Sequence, residues 1–280
     1  MQGLKNLFKF YVFGNFHVGL STFCLVKITL LTYGEKANVI PLFVGLATVM
    51  SYNLIRIKEH KKLQPWFYEF FLMNKKAILL SVMLCSVIVL YLFTFLTVDA
   101  LLSLIPIMIF TFFYSMPIRL HKNAVFTLRS VAFLKLFLIA VSWAVVTVIF
   151  PLIQYQISIG FNELIITIQR FLLIAAITIP FDIRDVEYDS TAIHTLPATM
   201  GVANAKRLAL LFLMLFLGSA LFLKNAGKNN LQIHLMVVIL SAILILRTRK
   251  GQSVFYTAYW VEAIPVFWLI VFLLFNHVVE

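Results

Sequence analysis

Apolar positions run in long blocks along this chain, and polar positions fall between the blocks. Nine stretches, 13–32, 39–56, 77–97, 99–118, 130–150, 164–181, 208–223, 231–246 and 257–275, are almost free of charge. As helices they have about the length that crosses a hydrocarbon core of ~30 Å. Backbone N–H and C=O groups in lipid must be paired within their own segment, so the predicted elements are helices. Short connections predict antiparallel neighbours in a single all-α bundle, one transmembrane domain over 1–280. The break between the third and fourth stretches is marked only by Thr97, Val98 and Asp99. The longest polar stretch, 57–76, mixes Trp66, Phe67, Tyr68, Phe70 and Phe71 with lysines in its second half. That mixture predicts a short helix lying in the membrane interface.

Composition agrees with the pattern. The chain is 62% hydrophobic and 12% charged, which excludes an ordinary soluble domain. Its net charge of +12 is distributed unevenly. With the N-terminus inside, seventeen Lys and Arg fall in cytoplasmic segments and three (Lys36, Lys224 and Lys228) in outer ones. Positive charge stays on the cytoplasmic side, so an inner N-terminus, an odd number of spans and an outer C-terminus are expected. The cytoplasmic loops are then 57–76 and 182–207. Contact with lipid head groups accounts for the charge, and no nucleic acid is needed. The first apolar run has no small-residue cleavage site and is expected to remain a span. Cys24 and Cys85 lie inside spans, which argues against a structural disulfide. Gly-rich phosphate loops, HExxH, zinc-spaced Cys/His and GxSxG are absent.

The few acids carry more information. Of four aspartates, Asp182, Asp185 and Asp189 fall within IPFDIRDVEYDS, at the cytoplasmic end of the sixth span. On a continuing helix they share an arc of about 60°. Three like charges on one face call for a cation between them, and Mg2+ prefers carboxylate and phosphate oxygens. A solvated acidic helix end is the plainer alternative.

The stretch FDIRDVEYDSTAIHTLPATMG resembles the second aspartate-rich motif of the UbiA superfamily of intramembrane prenyltransferases. YSMPIRLHKN, 114–123, resembles that family's Tyr-Ser-x-Pro and basic segment, and nine spans match its architecture. One departure is His194, where the family usually carries Arg or Lys. The resemblance implies a UbiA-like bundle that transfers a polyprenyl group from its diphosphate to an acceptor, often aromatic, with Mg2+ bridging carboxylates and diphosphate. It implies Asp182, Asp185 and Asp189 as metal ligands and catalytic residues. Tyr114, Arg119, Lys122 and Lys135 become candidates for substrate binding.

The first motif of that family, NDxxDxxxD after the second span, is altered here to SYNLIRIKEHKK. Asn53 remains, but Leu54, Ile57 and Lys61 stand where the acids would be, and Glu59 has the wrong spacing. Arg56 and His60 share the helical face of Asn53. Three readings follow. Arg56, with Lys58 or His60, grips the diphosphate in place of a metal, for which a guanidinium is suited. Alternatively, Arg56 pairs with an acid of the other loop, leaving a catalytically incomplete relative that binds an isoprenoid lipid or quinone. In the third reading the substrate is unusual.

Ionisable residues inside spans, where each needs a cavity or a partner, include His17, Lys27, Lys135, Arg170 and Glu262. Lys135 and Glu262 sit near the cytoplasmic ends of their spans, where they could line a phosphate or acceptor pocket or pair with each other. His17 and Ser21 share a face suited to helix-to-helix hydrogen bonds. Arg170 is expected to snorkel.

Overall fold

Almost every apolar run folds as helix in the computed structural model, which describes residues 2–58, 65–115, 117–121, 124–127, 132–186, 195–223 and 230–277. Side chains are described within these ranges except at 65–66, 110–115, 117–121, 124–127, 132 and 277. Helices α1 (Gln2–Phe13) and α2 (Phe16–Thr32) meet at a 55° bend. Three more follow: α3 (Val39–Lys58), α4 (Pro65–Phe93) and α5 (Val98–Ser115). A short antiparallel hairpin, β1 (Pro117–His121) and β2 (Ala124–Thr127), interrupts the helical order. α6 (Ala132–Ala144) passes through a π-helical turn, Val145–Ile149, into α7 (Phe150–Gln154). The chain continues through α8 (Phe161–Asp185), α9 (Leu196–Met200), α10 (Val202–Ser219) and α11 (Asn230–Arg247). A second π-helical turn, Tyr256–Val261, precedes α12 (Ile264–His277).

Among the described residues seven helical segments are long and apolar enough to cross a bilayer, eight if the bent α1–α2 pair is one span. The protein is a multi-pass helical membrane protein. The nine spans read from the sequence are not reached. The first is broken by the bend, and the apolar part of α5 among residues with described side chains, Val98–Ile109, is short. The helix expected in the interface is not separate either. α4 runs without a break from Pro65 through the third span. Proline suits the first helical position, and nothing between Lys76 and Ala77 disfavours helix. Phe67 and Phe71 of this extension pack with Val12, Phe13 and Ile78.

The bend between α1 and α2 has a local cause. Asn15 takes a left-handed conformation, φ 66°, which Asn tolerates better than most residues. Its side chain donates to Asn53 Oδ1 at 2.8 Å. Asn53 in turn donates to Gly14 O and Val49 O, both at 2.9 Å. One amide on α3 thus clamps the turn.

Close approach of α2 and α3 depends on two glycines. A Cβ on Gly45 would lie 2.9 Å from Gly19 O, and one on Gly19 would lie 2.8 Å from Gly45 O. Small residues let helix backbones meet in lipid, where van der Waals packing drives association. Thr22 Oγ1 donates to Thr48 Oγ1 one turn further along this seam, at 3.1 Å.

α8 is the most enclosed of the candidate spans. Leu173, Ala176, Ile179 and Ile183 are fully buried within the main core, which α6, α10, α11 and α12 complete. At the start of α8, Tyr33 donates to Glu163 Oε1 at 2.7 Å. Burial and the Glu163 carboxylate push the Tyr33 hydroxyl above its ordinary pKa. Lys27 reaches out of α2 to the carbonyl oxygens of Lys36 and Ala37, the snorkelling expected of a long cationic chain. Arg170 does not snorkel: it is 1% exposed.

Candidate functional site

The last turn of α8 carries Asp182, Arg184 and Asp185. Each helical residue is rotated by about 100° from the last, so Asp182 and Arg184 face different neighbours. Asp182 faces α6. Its Oδ1 accepts from Lys135 Nζ at 2.7 Å, with the side chains 3% and 30% exposed respectively. Asp182 Oδ2 is buried and has no hydrogen-bond partner among the described residues. Asp185 accepts two hydrogen bonds from Arg184, Nε to Oδ1 at 2.7 Å and Nη2 to Oδ2 at 2.6 Å. Arg184 Nη1 also donates to Thr257 Oγ1 at 2.5 Å, which ties α8 to the π-helical turn before α12.

Arg184 lines a cavity of about 250 Å³ together with Arg56, Glu262, Tyr52 and Asn15. Apolar walls come from Val12, Phe13, Phe67, Phe181, Val254 and Ala258. Arg56 enters from the last turn of α3. Its Nη1 donates to Phe13 O at 2.7 Å, and its guanidinium carbon sits 4.3 Å from the centre of the Phe67 ring. Both arginines act on Glu262 through their charge. Among the described residues neither makes an ion-pair contact with it. The helix around Glu262 is held by Ser21, which donates to the Glu262 carbonyl at 2.5 Å. His17 bridges Tyr11 and the Tyr259 carbonyl at 2.8 and 3.0 Å. The helix-to-helix role expected of His17 and Ser21 is therefore present, and it braces the cavity wall.

The sequence-derived candidates divide. Arg56 reaches the cavity. Asn53 does not: it is 1% exposed, its side chain donates to Gly14 O in the bend and to Val49 O on its own helix, and its Oδ1 accepts from Asn15. Lys135 pairs with Asp182, not with Glu262. Tyr114 lies on α5 and Arg119 on β1, where only the backbone is described. His60, Lys122 and Asp189 lie outside the described residues.

One cavity residue carried little signal in the sequence. Arg184 read as one more cytoplasmic charge, although it sits between two of the aspartates. Glu262 stood out as an acid inside a span that could line a phosphate or acceptor pocket, and it does line the cavity.

The carboxylates bear on Mg2+. A divalent ion needs several free oxygen ligands. Asp182 offers one unpartnered oxygen beside the Lys135 ammonium, and both oxygens of Asp185 are held by Arg184. Among the described residues no group of three or more His, Cys, Asp or Glu could hold a metal. In this arrangement Asp182 and Asp185 do not fit a shared cation.

The end of the aspartate-rich stretch, 195–201, has a structural account. Thr195 stands just before α9, where its carbonyl accepts from Ala198 N–H and Thr199 N–H. Pro197 stands in the first turn of α9, and Gly201 turns the chain into α10 with φ 81°, a conformation that favours glycine.

Comparison with protein-family models, with curated proteins and with solved structures gives no match to this chain.

Proposed function

We propose that the Arg56–Arg184 cavity binds the diphosphate of an isoprenoid lipid, and that the protein is a UbiA-like membrane prenyltransferase passing the polyprenyl group to an aromatic acceptor. The observation that carries this reading is the convergence of two guanidiniums, from α3 and α8, on one cavity with apolar walls. Guanidinium matches phosphate oxygens in charge and geometry. The volume is below the ~300–1,000 Å³ of a typical small-molecule site. It suits a polar head group, with the tail lying against apolar helix faces.

Transfer requires the allylic C–O bond to break, with the electron pair leaving on the diphosphate. Arg56 and Arg184 stabilise that developing charge with donors aimed into the cavity. A new bond forms between the prenyl carbon and the acceptor ring, and the ring proton is taken up by the departing diphosphate. No step is assigned to Mg2+. An ion bridging the aspartates would first have to displace Lys135 and Arg184.

The second reading is a catalytically incomplete relative that holds an isoprenoid lipid or quinone. Its specific support is that Asp182 and Asp185 are each already matched by a cation.

In both readings the cavity opens toward the cytoplasmic face. The charge distribution supports this, with the N-terminus inside and the C-terminus outside.

Radiolabelled farnesyl or geranylgeranyl diphosphate, purified protein and a panel of aromatic acceptors separate the two, with and without Mg2+. Binding with transfer supports the enzyme. Binding without transfer or diphosphate release supports the incomplete relative. No binding, with Arg56→Ala and Arg184→Ala behaving as wild type, overturns both.

A further inference from the structure

Arg170 lies in the middle of α8, four turns from the cavity along the helix by its position in the sequence. It is 1% exposed. One nitrogen, Nη2, donates to Thr29 Oγ1 at 3.1 Å. The guanidinium carbon lies 4.9 Å from the centre of the Trp268 ring. Nε and Nη1 are buried and have no hydrogen-bond partner among the described residues. Those two nitrogens carry three of the five N–H donors of a guanidinium.

Gln169 Nε2, another N–H donor, is also buried without a hydrogen-bond partner among the described residues. His234 Nε2 is likewise unpartnered there, but with Nδ1 donating it is a lone-pair acceptor, not a further donor. His234 donates through Nδ1 to Asn230 O at 2.7 Å, and its ring lies 5.6 Å from Trp268. Trp268 is therefore shared by Arg170 and His234.

Arginine keeps its charge in proteins, and an isolated charge inside a membrane needs compensation. Among the described residues no carboxylate supplies it. Glu163, two turns back on α8, accepts from Tyr33 and from the Gly160 N–H. Asp182, at the other end of the helix, is paired with Lys135. The Trp268 face attracts the cation but accepts none of the three remaining N–H groups by a hydrogen bond.

We propose that Arg170 binds a small inorganic anion of the halide class through Nε and Nη1, beside Trp268 and between α2, α8 and α12. Enclosure sets the size of the ligand. Thr29, Arg170, His234 and Trp268 are 1–4% exposed, so no opening admits a lipid head group. A monoatomic anion neutralises the guanidinium and satisfies donors that no residue reaches. The site is separate from the Arg56–Arg184 cavity and stands whether or not that cavity binds a diphosphate.

Heavy halides quench tryptophan fluorescence on contact, which makes Trp268 the reporter. Purified protein is moved into chloride-free gluconate at constant ionic strength, and bromide or iodide is titrated. The expected result is a saturable quenching component that Trp268→Phe removes and Arg170→Gln abolishes. The melting midpoint of wild type rises by about 5 °C from halide-free to saturating halide, and that of Arg170→Gln stays flat. Should Arg170→Gln fail to fold, wild type against Trp268→Phe decides by itself. Linear quenching equal in those two proteins, with melting independent of halide, overturns the proposal and assigns the free N–H groups to water.

Discussion

Arg56 reaches the cavity with only one guanidinium nitrogen, Nη1, in a hydrogen bond to protein among the described residues. Arg184 has all three nitrogens engaged, two of them by Asp185. Arg56 is thus the better placed to meet an incoming anion. A hydrogen bond to a charged group is worth about 1.5–3 kcal/mol. Arg56→Ala should weaken farnesyl diphosphate binding by about 10- to 100-fold, measured with the labelled ligand on purified protein. Arg56→Lys should fall between, because an ammonium keeps the charge and loses the planar donors.

The Lys135–Asp182 pair behaves differently. Asp182 is almost fully buried while Lys135 is 30% exposed, so solvent screens part of the attraction. Lys135→Ala leaves a buried carboxylate uncompensated and should cost about 1–3 kcal/mol of stability. Adding Asp182→Ala should recover part of that loss. A double-mutant cycle on denaturation midpoints in detergent reads both. Asp182 and Asp185 were legible as a pair of acids on a helix. Their partners were not, since Lys135 lies on another helix and Arg184 counted only as loop charge.

Elements meet through very small features. The α2–α3 seam relies on the absence of side chains at Gly19 and Gly45. Gly45→Val would drive a Cβ to within 2.9 Å of the Gly19 carbonyl, which only separation of the helices relieves. The expected result is a melting midpoint lower by about 5 °C or more, and an increased tendency to aggregate on solubilisation. Asn53→Ala should act on α1 instead. It removes the amide that holds Gly14 and Asn15, so backbone amides of α1 should exchange hydrogen faster while those of α8 are unchanged. That outcome would assign Asn53 a positioning role. Helices α3, α8, α10 and α11 were predictable because apolar runs of spanning length have few other folds in lipid. The bend at Asn15 was not, because it depends on a partner thirty-eight residues away. Nor was the continuation of α4 from Pro65, since aromatic residues and lysines at an interface suit a surface helix as well as a span extension.

At the scale of the molecule, the proposed orientation places Lys36, just before α3, outside and Lys58, its last residue, inside. With Cys24 and Cys85, both buried, replaced by Ser, Lys36→Cys should react with a membrane-impermeant maleimide in intact cells. Lys58→Cys should react only after the membrane is opened. The reverse pattern would invert the proposed orientation and move the Arg56–Arg184 cavity to the outer face.

Chemistry of the solvent explains what could be read from the residues alone. Lipid forces apolar surface and internal backbone pairing on every span, so class and approximate span positions are written into hydropathy. Lysine and arginine counts add an expected orientation for the same reason, since charge is costly to move across the bilayer. The cavity belongs to the tertiary structure. Arg56, Arg184 and Glu262 stand on three elements far apart in the chain, and their meeting depends on how each helix is rotated about its axis. That rotation is set by contacts between helices, such as two glycines, one clamped asparagine and a lysine–aspartate pair. No single segment's pattern contains them.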